Sequence, residues 1–139
     1  MKFYAVIDTN VLVSAMLKSH SVPGSIIELA FSGPIIPVLN KAIEQEYREV
    51  LSRPKFHFPT DLIKDIIGTF REKGLYIDAE PLELILPDPK DLVFYEVVME
   101  ERKQEEAYLV TDNIKHFPVK PYVVTPRRML DIILQDQDH

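Results

Sequence analysis

Apolar residues along this chain fall into two alternating patterns: short continuous runs, and longer stretches in which they recur every three or four positions. Short aromatic and β-branched runs suit buried strands, and the 3.6-residue period suits helices with one buried face. Phe3 to Ile7 predicts a strand, and Val11 to Lys18 begins a helix whose entry Asp8, Thr9 or Asn10 can cap. Ser21-Val22-Pro23-Gly24-Ser25 restarts a helix that carries Ile26, Ile27, Leu29, Ala30 and Phe31 and is stopped by Gly33-Pro34. Ile35 to Leu39 is a second strand, and Asn40 can cap the helix from Lys41 to Ser52. Pro54 closes that helix, because its ring disfavours an α conformation at Arg53. A further helix starts near Thr60 and stops before Gly74, Leu75-Tyr76-Ile77 is a short strand, and Asp88-Pro89-Lys90-Asp91 opens a helix running to about Arg102. Ala107 to Thr111 and Tyr122 to Val124 complete five strands, and Pro126 starts the last helix.

Strands alternate with helices throughout, so the expected architecture is α/β, with a parallel sheet covered on both faces. No repeat, low-complexity segment or linker interrupts the pattern, and residues 1–139 read as one domain. The apolar stretch before Asp8 is too short for a signal peptide, and no later run approaches the roughly 18 apolar residues that span a bilayer. A cytoplasmic protein without a membrane partner is expected.

Composition narrows the chemistry. The chain has no cysteine, so disulfides, thiol nucleophiles and thiolate metal sites are excluded, and any metal must be held by oxygen or nitrogen. A net charge of −6 argues against holding nucleic acid by bulk electrostatics, so such a substrate needs a local basic patch or bound cations. The four glycines, at 24, 33, 68 and 74, form no phosphate-binding loop.

In an open α/β sheet, ligands collect beyond the carboxyl ends of the strands, at the switch in strand order. Asp8 and Asp112 both follow strands. Each has a simpler reading: Asp8 as a helix cap, for which Asn10 serves equally well, and Asp112 as a turn residue, a role Asn113 can fill. Asp91 approximates a capping box with Asp88 and Pro89, yet its position three residues before Phe94 turns it toward the buried face of its helix, where a lone carboxylate is costly. Glu46 and Glu44 lie on opposite edges of one apolar stripe, periodicity does not separate them, and a solvated flank is the simple reading of both. Several carboxylates gathered at one sheet edge repel one another unless hard cations neutralise them, and oxygen-rich sites suit Mg²⁺ or Mn²⁺.

Other features are weaker. His20, His57, His116 and His139 show no ligand spacing, although Lys115 and His116 follow Asp112 closely enough to line the same pocket. "SRPKFHF" (52 to 58), with Arg53 and Lys55, and "PRR" (126 to 128) are the best basic patches. The first interleaves aromatics in a way that suits a phosphate chain and its bases.

Four stretches taken together, "VIDTNVLVSA", "EYREVLSRPKF", "LPDPKDLVFYEVV" and "AYLVTDNIKHFP", resemble the PIN-domain family, in particular the branch of toxin components of bacterial toxin–antitoxin systems. The resemblance covers nearly the whole chain. It implies a three-layer α/β/α sandwich around a parallel sheet of about five strands, and metal-dependent endoribonuclease activity. By the same resemblance Asp8, Glu46 and Asp91 are the first three acids, catalytic as ligands of one or two Mg²⁺ or Mn²⁺ ions, with Asp112 or Asn113 completing the set. Thr9, Asn10 and Thr111 would orient ligands or water, and Arg53, Lys55, Lys115 and His116 would meet RNA. An antitoxin protein and a homodimer or higher homo-oligomer are the implied partners. Two positions depart from the family pattern: Leu92 stands where many relatives have a second aspartate, and Asn113 aligns with the usual fourth acid.

Two other readings fit parts of the chain. A haloacid-dehalogenase-like phosphatase also begins with an aspartate after its first strand, but needs a second carboxylate two residues later, where this chain has Asn10. A PIN fold with a weakened site, acting only through an antitoxin or itself, is suggested by Leu92 and Asn113.

Overall fold

The computed structural model describes residues 2–137; His139, considered above, lies outside the described residues. Five strands, β1 (Phe3–Ile7), β2 (Ile35–Leu39), β3 (Leu75–Tyr76), β4 (Ala107–Val110) and β5 (Val123–Val124), form one sheet in the order β3-β2-β1-β4-β5, with every pairing parallel. Six α-helices connect and cover them: α1 (Thr9–Leu17), α2 (Val22–Ser32), α3 (Lys41–Leu51), α4 (Thr60–Lys73), α5 (Leu92–Glu101) and α6 (Pro126–Gln137). The arrangement is the expected three-layer α/β/α sandwich. α5 lies across β1, β2 and β4, while α2 packs on β2 between α1 and α6.

The parallel sheet is buried because helices cover it, which is why its strands read as continuous apolar runs rather than alternating ones. Ala5, Val6, Ile7, Val38, Leu39, Leu109 and Val110 are almost completely buried, and the core extends from them to Phe70, Phe94 and Met129. Two glycines are required by geometry. Gly33 ends α2 at φ 119, in the left-handed region that favours glycine. At Gly74 an added Cβ would sit 2.5 Å from the Phe70 carbonyl oxygen, so only glycine lets α4 turn directly into β3.

Some boundaries differ from the sequence reading. α1 starts at Thr9 rather than Val11, and the Asp8 side chain makes no capping bond to it. The expected cap Asn40 does accept from Ile43 N at 2.9 Å, and Ser21 caps α2 by accepting from Gly24 N at 3.1 Å. Asp88-Pro89-Lys90-Asp91 opens as a one-turn 3₁₀ helix, Pro89–Asp91, before α5 begins at Leu92. Asp88 accepts from Lys90 N at 3.0 Å, while Asp91 makes no capping bond, so the capping box is only half present. Similar single turns occur at Pro54–Phe56 and Ile114–His116.

The strand order fixes where a site can form. β1 has β2 on one side and β4 on the other, so the chain changes direction across the sheet at β1/β4. The crevice beyond the carboxyl ends of these two strands is the topological switch point.

Candidate active site

Asp8 and Thr111 stand side by side at that switch point. The register pairs Ile7 with Val110, so the next residue of each strand emerges at the same edge. Asp8 N donates to Val110 O at 2.9 Å, and Thr111 N to Val124 O at 2.9 Å, which extends the β4–β5 pairing to the same level. Both side chains are buried, Asp8 to 4% exposure and Thr111 to 0%. Thr111 Oγ1 donates to Asp8 Oδ2 at 2.7 Å and accepts from Asn113 N at 2.9 Å. The threonine hydroxyl thus fixes the carboxylate on one side and the β4 exit loop on the other.

α3 brings in the second acid. Tyr47, buried, donates its hydroxyl to the Ile7 carbonyl, which pins α3 against the end of β1. The preceding residue, Glu46, is thereby set beside Thr9, whose hydroxyl donates to Glu46 Oε2. Glu44, left equal to Glu46 by periodicity, faces elsewhere. It is buried, not a solvated flank, and accepts from Arg71 Nε and Nη2 at 2.7 and 2.8 Å and from Tyr76 Oη at 2.7 Å. The two edges of the α3 stripe have separate tasks: Glu44 ties α3 to α4 and β3, and Glu46 faces the switch point.

Asp91 enters from the start of α5. Its Oδ2 lies 3.1 Å from His116 Nδ1, so the short helix after β4 supplies the partner of the third acid. A protonated Nδ1 donates to the carboxylate and leaves Nε2 free for another group.

Electrostatics ties the three acids into one cluster. Burial, opposed by the Thr111 hydrogen bond and reinforced by the charges of Asp91 and then Glu46, pushes the Asp8 carboxyl up to about 6. Glu46 is raised by burial, against the Thr9 bond, with the Asp91 charge adding to the rise. Asp91 is raised by burial, with His116 pulling the other way. Three carboxyls each held above the ordinary range are a charge-crowded site, and such crowding marks functional clefts.

The remaining sequence candidates divide. Asp112 is exposed and, among the described residues, forms no hydrogen bond or ion pair. Asn113 is half-buried and enters the network through its backbone N–H rather than its side chain. Asn10 is exposed on α1, and Lys115 is exposed beside the half-buried His116. Arg53 and Lys55 are exposed at the end of α3, where the rings of Phe56 and Phe58 stack at 5.6 Å. Lys90, which no sequence motif singled out, lines a groove together with Glu46 and Arg53. Its place directly before Asp91 was the one available signal.

The donor set consists of hard oxygens with no sulfur, which suits a divalent cation such as Mg²⁺ or Mn²⁺. Among the described residues no three acids or histidines already converge on a single ion position. The fit therefore rests on the chemistry of the set and on the mutual repulsion that a cation would relieve.

A family model for the PIN domain matches residues 4–115, from β1 through the 3₁₀ turn carrying His116's neighbours. The chain belongs to the PIN-domain family. The match takes in Asp8, Thr9, Glu46, Asp91 and Thr111, every side chain of the acid cluster except His116. PIN domains are generally nucleases that use divalent metal ions, so the hydrolysis of nucleic-acid phosphodiesters is the activity class of this fold. No curated protein matches the chain. No helix among the described residues is long and apolar enough to cross a membrane.

Proposed function

We propose that this PIN domain is a metal-dependent endoribonuclease and the toxin of a toxin–antitoxin pair. The observation that carries the catalytic part is the buried Asp8 at the switch point, held by Thr111 and close enough to Asp91 and Glu46 for both charges to act on it. Glu44, by contrast, is hydrogen-bonded and ion-paired, whereas Asp8 has a threonine on one side and like charges on the other. The toxin assignment is supported by the four-motif resemblance, which also supplies the antitoxin partner and the homo-oligomer.

Asp8, Glu46 and Asp91 would hold Mg²⁺ or Mn²⁺. When bound, such an ion supplies activated water and neutralises the charge that builds on the phosphate as its P–O bond breaks. The chain's own residues hold the ligands in place. Thr111 restrains Asp8, Thr9 restrains Glu46, and His116 restrains Asp91 while offering its second nitrogen to the substrate. Asp8 is only 4% exposed, which keeps bulk water from its carboxylate.

Cleavage of a labelled single-stranded RNA by the purified chain with Mn²⁺ tests the reading. Asp8→Asn is expected to abolish cleavage while the far-UV spectrum stays that of the parent; undiminished cleavage would sink the assignment.

One observation favours a second reading, a PIN fold that works by pairing alone. Asp112 is exposed and Asn113 is uncharged, which leaves the β4 side of the crevice short of an acid. Calorimetric titration separates the two, since no heat at millimolar Mn²⁺ supports the pairing module.

A further inference from the structure

A groove of about 230 Å³ opens beside the acids, with Glu46, Glu49 and Val50 on one wall. Arg53 and Lys90 line it from different elements: Arg53 follows α3, and Lys90 belongs to the one-turn helix that carries Asp91. Both are exposed, and among the described residues neither side chain forms an ion pair or hydrogen bond. Arg53 and Lys90 thus bring two cations, neither of them in an ion pair, to a groove that also contains Glu46, on which the Lys90 charge acts.

We propose that this groove receives the phosphate next to the scissile one in a single-stranded RNA, held between Arg53 and Lys90. The inference rests on the ribonuclease reading and deepens it by naming how the strand is positioned. A guanidinium presents a planar fork that matches phosphate oxygens, and a lysine adds a mobile point charge. Just past Arg53, Phe56 and Phe58 lie nearly parallel, at 17°, with Lys55 5.0 Å above the Phe56 ring. Both rings are partly exposed, which offers a stacking surface to an unpaired base. Bases in a duplex are already stacked inside it and do not reach side-chain rings, so the pair favours a single strand. Glu49 shares the groove with the sign that repels phosphate, so its removal should tighten binding.

The test compares Arg53→Gln, Lys90→Gln and the double variant with the parent, using a short labelled single-stranded RNA and Mn²⁺. Each single change is expected to raise KM about tenfold with kcat within about threefold. The slope of log KM against log salt should fall by about 0.7 in the double variant, the loss of one phosphate contact on a single strand. Arg53→Lys and Lys90→Arg should keep the slope, Glu49→Gln should lower KM, and Lys64→Gln, on exposed α4 surface, should change nothing. Parent-like KM and slope in the double variant overturn the inference. If the parent does not cleave, the ribonuclease reading fails, and fluorescence anisotropy with the same RNA decides the groove separately. A weaker, less salt-dependent complex in the double variant then supports it, and equal binding or none by the parent overturns it.

Discussion

Thr111 donates its hydroxyl to Asp8 Oδ2 at 2.7 Å, joining two buried residues 103 positions apart in sequence. Parallel pairing of β1 with β4 places them side by side, so the bond is a direct product of strand register. It also opposes the burial and like charges that push Asp8 upward.

Thr111→Val should therefore raise the Asp8 carboxyl further. A hydrogen bond to a charged group contributes about 1.5–3 kcal/mol, about one to two pH units on the carboxyl, so cleavage at neutral pH should fall by roughly two- to fifteenfold. The acid limb of the pH–rate profile should move to higher pH, and Thr111→Ser should restore both.

Asp8 sets a stability cost with a definite sign. Its carboxyl lies near 3.8 unfolded and about 6 folded, so the unfolded chain ionises first. The cost is absent below about pH 3.8, grows up to about 6 and is complete above it, reaching up to about 3 kcal/mol. Asp8→Asn should raise the urea midpoint at pH 7.5 in chelator and lose that advantage near pH 4. Added Mn²⁺ should stabilise the parent and not the variant.

Glu44 carries the opposite sign. The Arg71 bond, against a smaller burial effect, holds it down to about 2, below its ordinary 4.5. Its contribution is present above about pH 4.5 and is lost as pH falls through 2. Glu44→Gln should lower stability by about 1–2 kcal/mol at pH 7 and narrow its distance from the parent as the pH approaches 2, in acid titrations followed by circular dichroism.

Asp91 and Asp112 should part company in activity. Asp91 shares the crowded crevice with Asp8 and Glu46, and Asp112 is exposed. Asp91→Asn is expected to reduce cleavage at least a hundredfold, and Asp112→Asn to leave it within about threefold. Initial rates under identical Mn²⁺ decide; equal losses would place Asp112 in the reacting centre.

The apolar runs and helical periods were enough to locate all five strands and six helices, because burial on a covered parallel sheet demands continuous apolar sequence. "VIDTNVL" and "VTDN" likewise marked strand ends. Local pattern stopped short at three places. Asp8 looked able to cap α1 and does not, since Thr111, remote in sequence, holds its carboxylate. Glu44 and Glu46 looked alike until α4 and β3 brought Arg71 and Tyr76 to one of them. Asp112 and Asn113 were adjacent alternatives, and the turn after Thr111 exposed one and engaged the backbone of the other.

The sequence by itself determined the layered α/β order and the supply of acids, since burial and turn chemistry act over a few residues. Only the tertiary structure decided which acids meet. A charge is felt across space rather than along the chain, and strand order set Asp8, Glu46 and Asp91 around one crevice while the turn after Thr111 left Asp112 exposed.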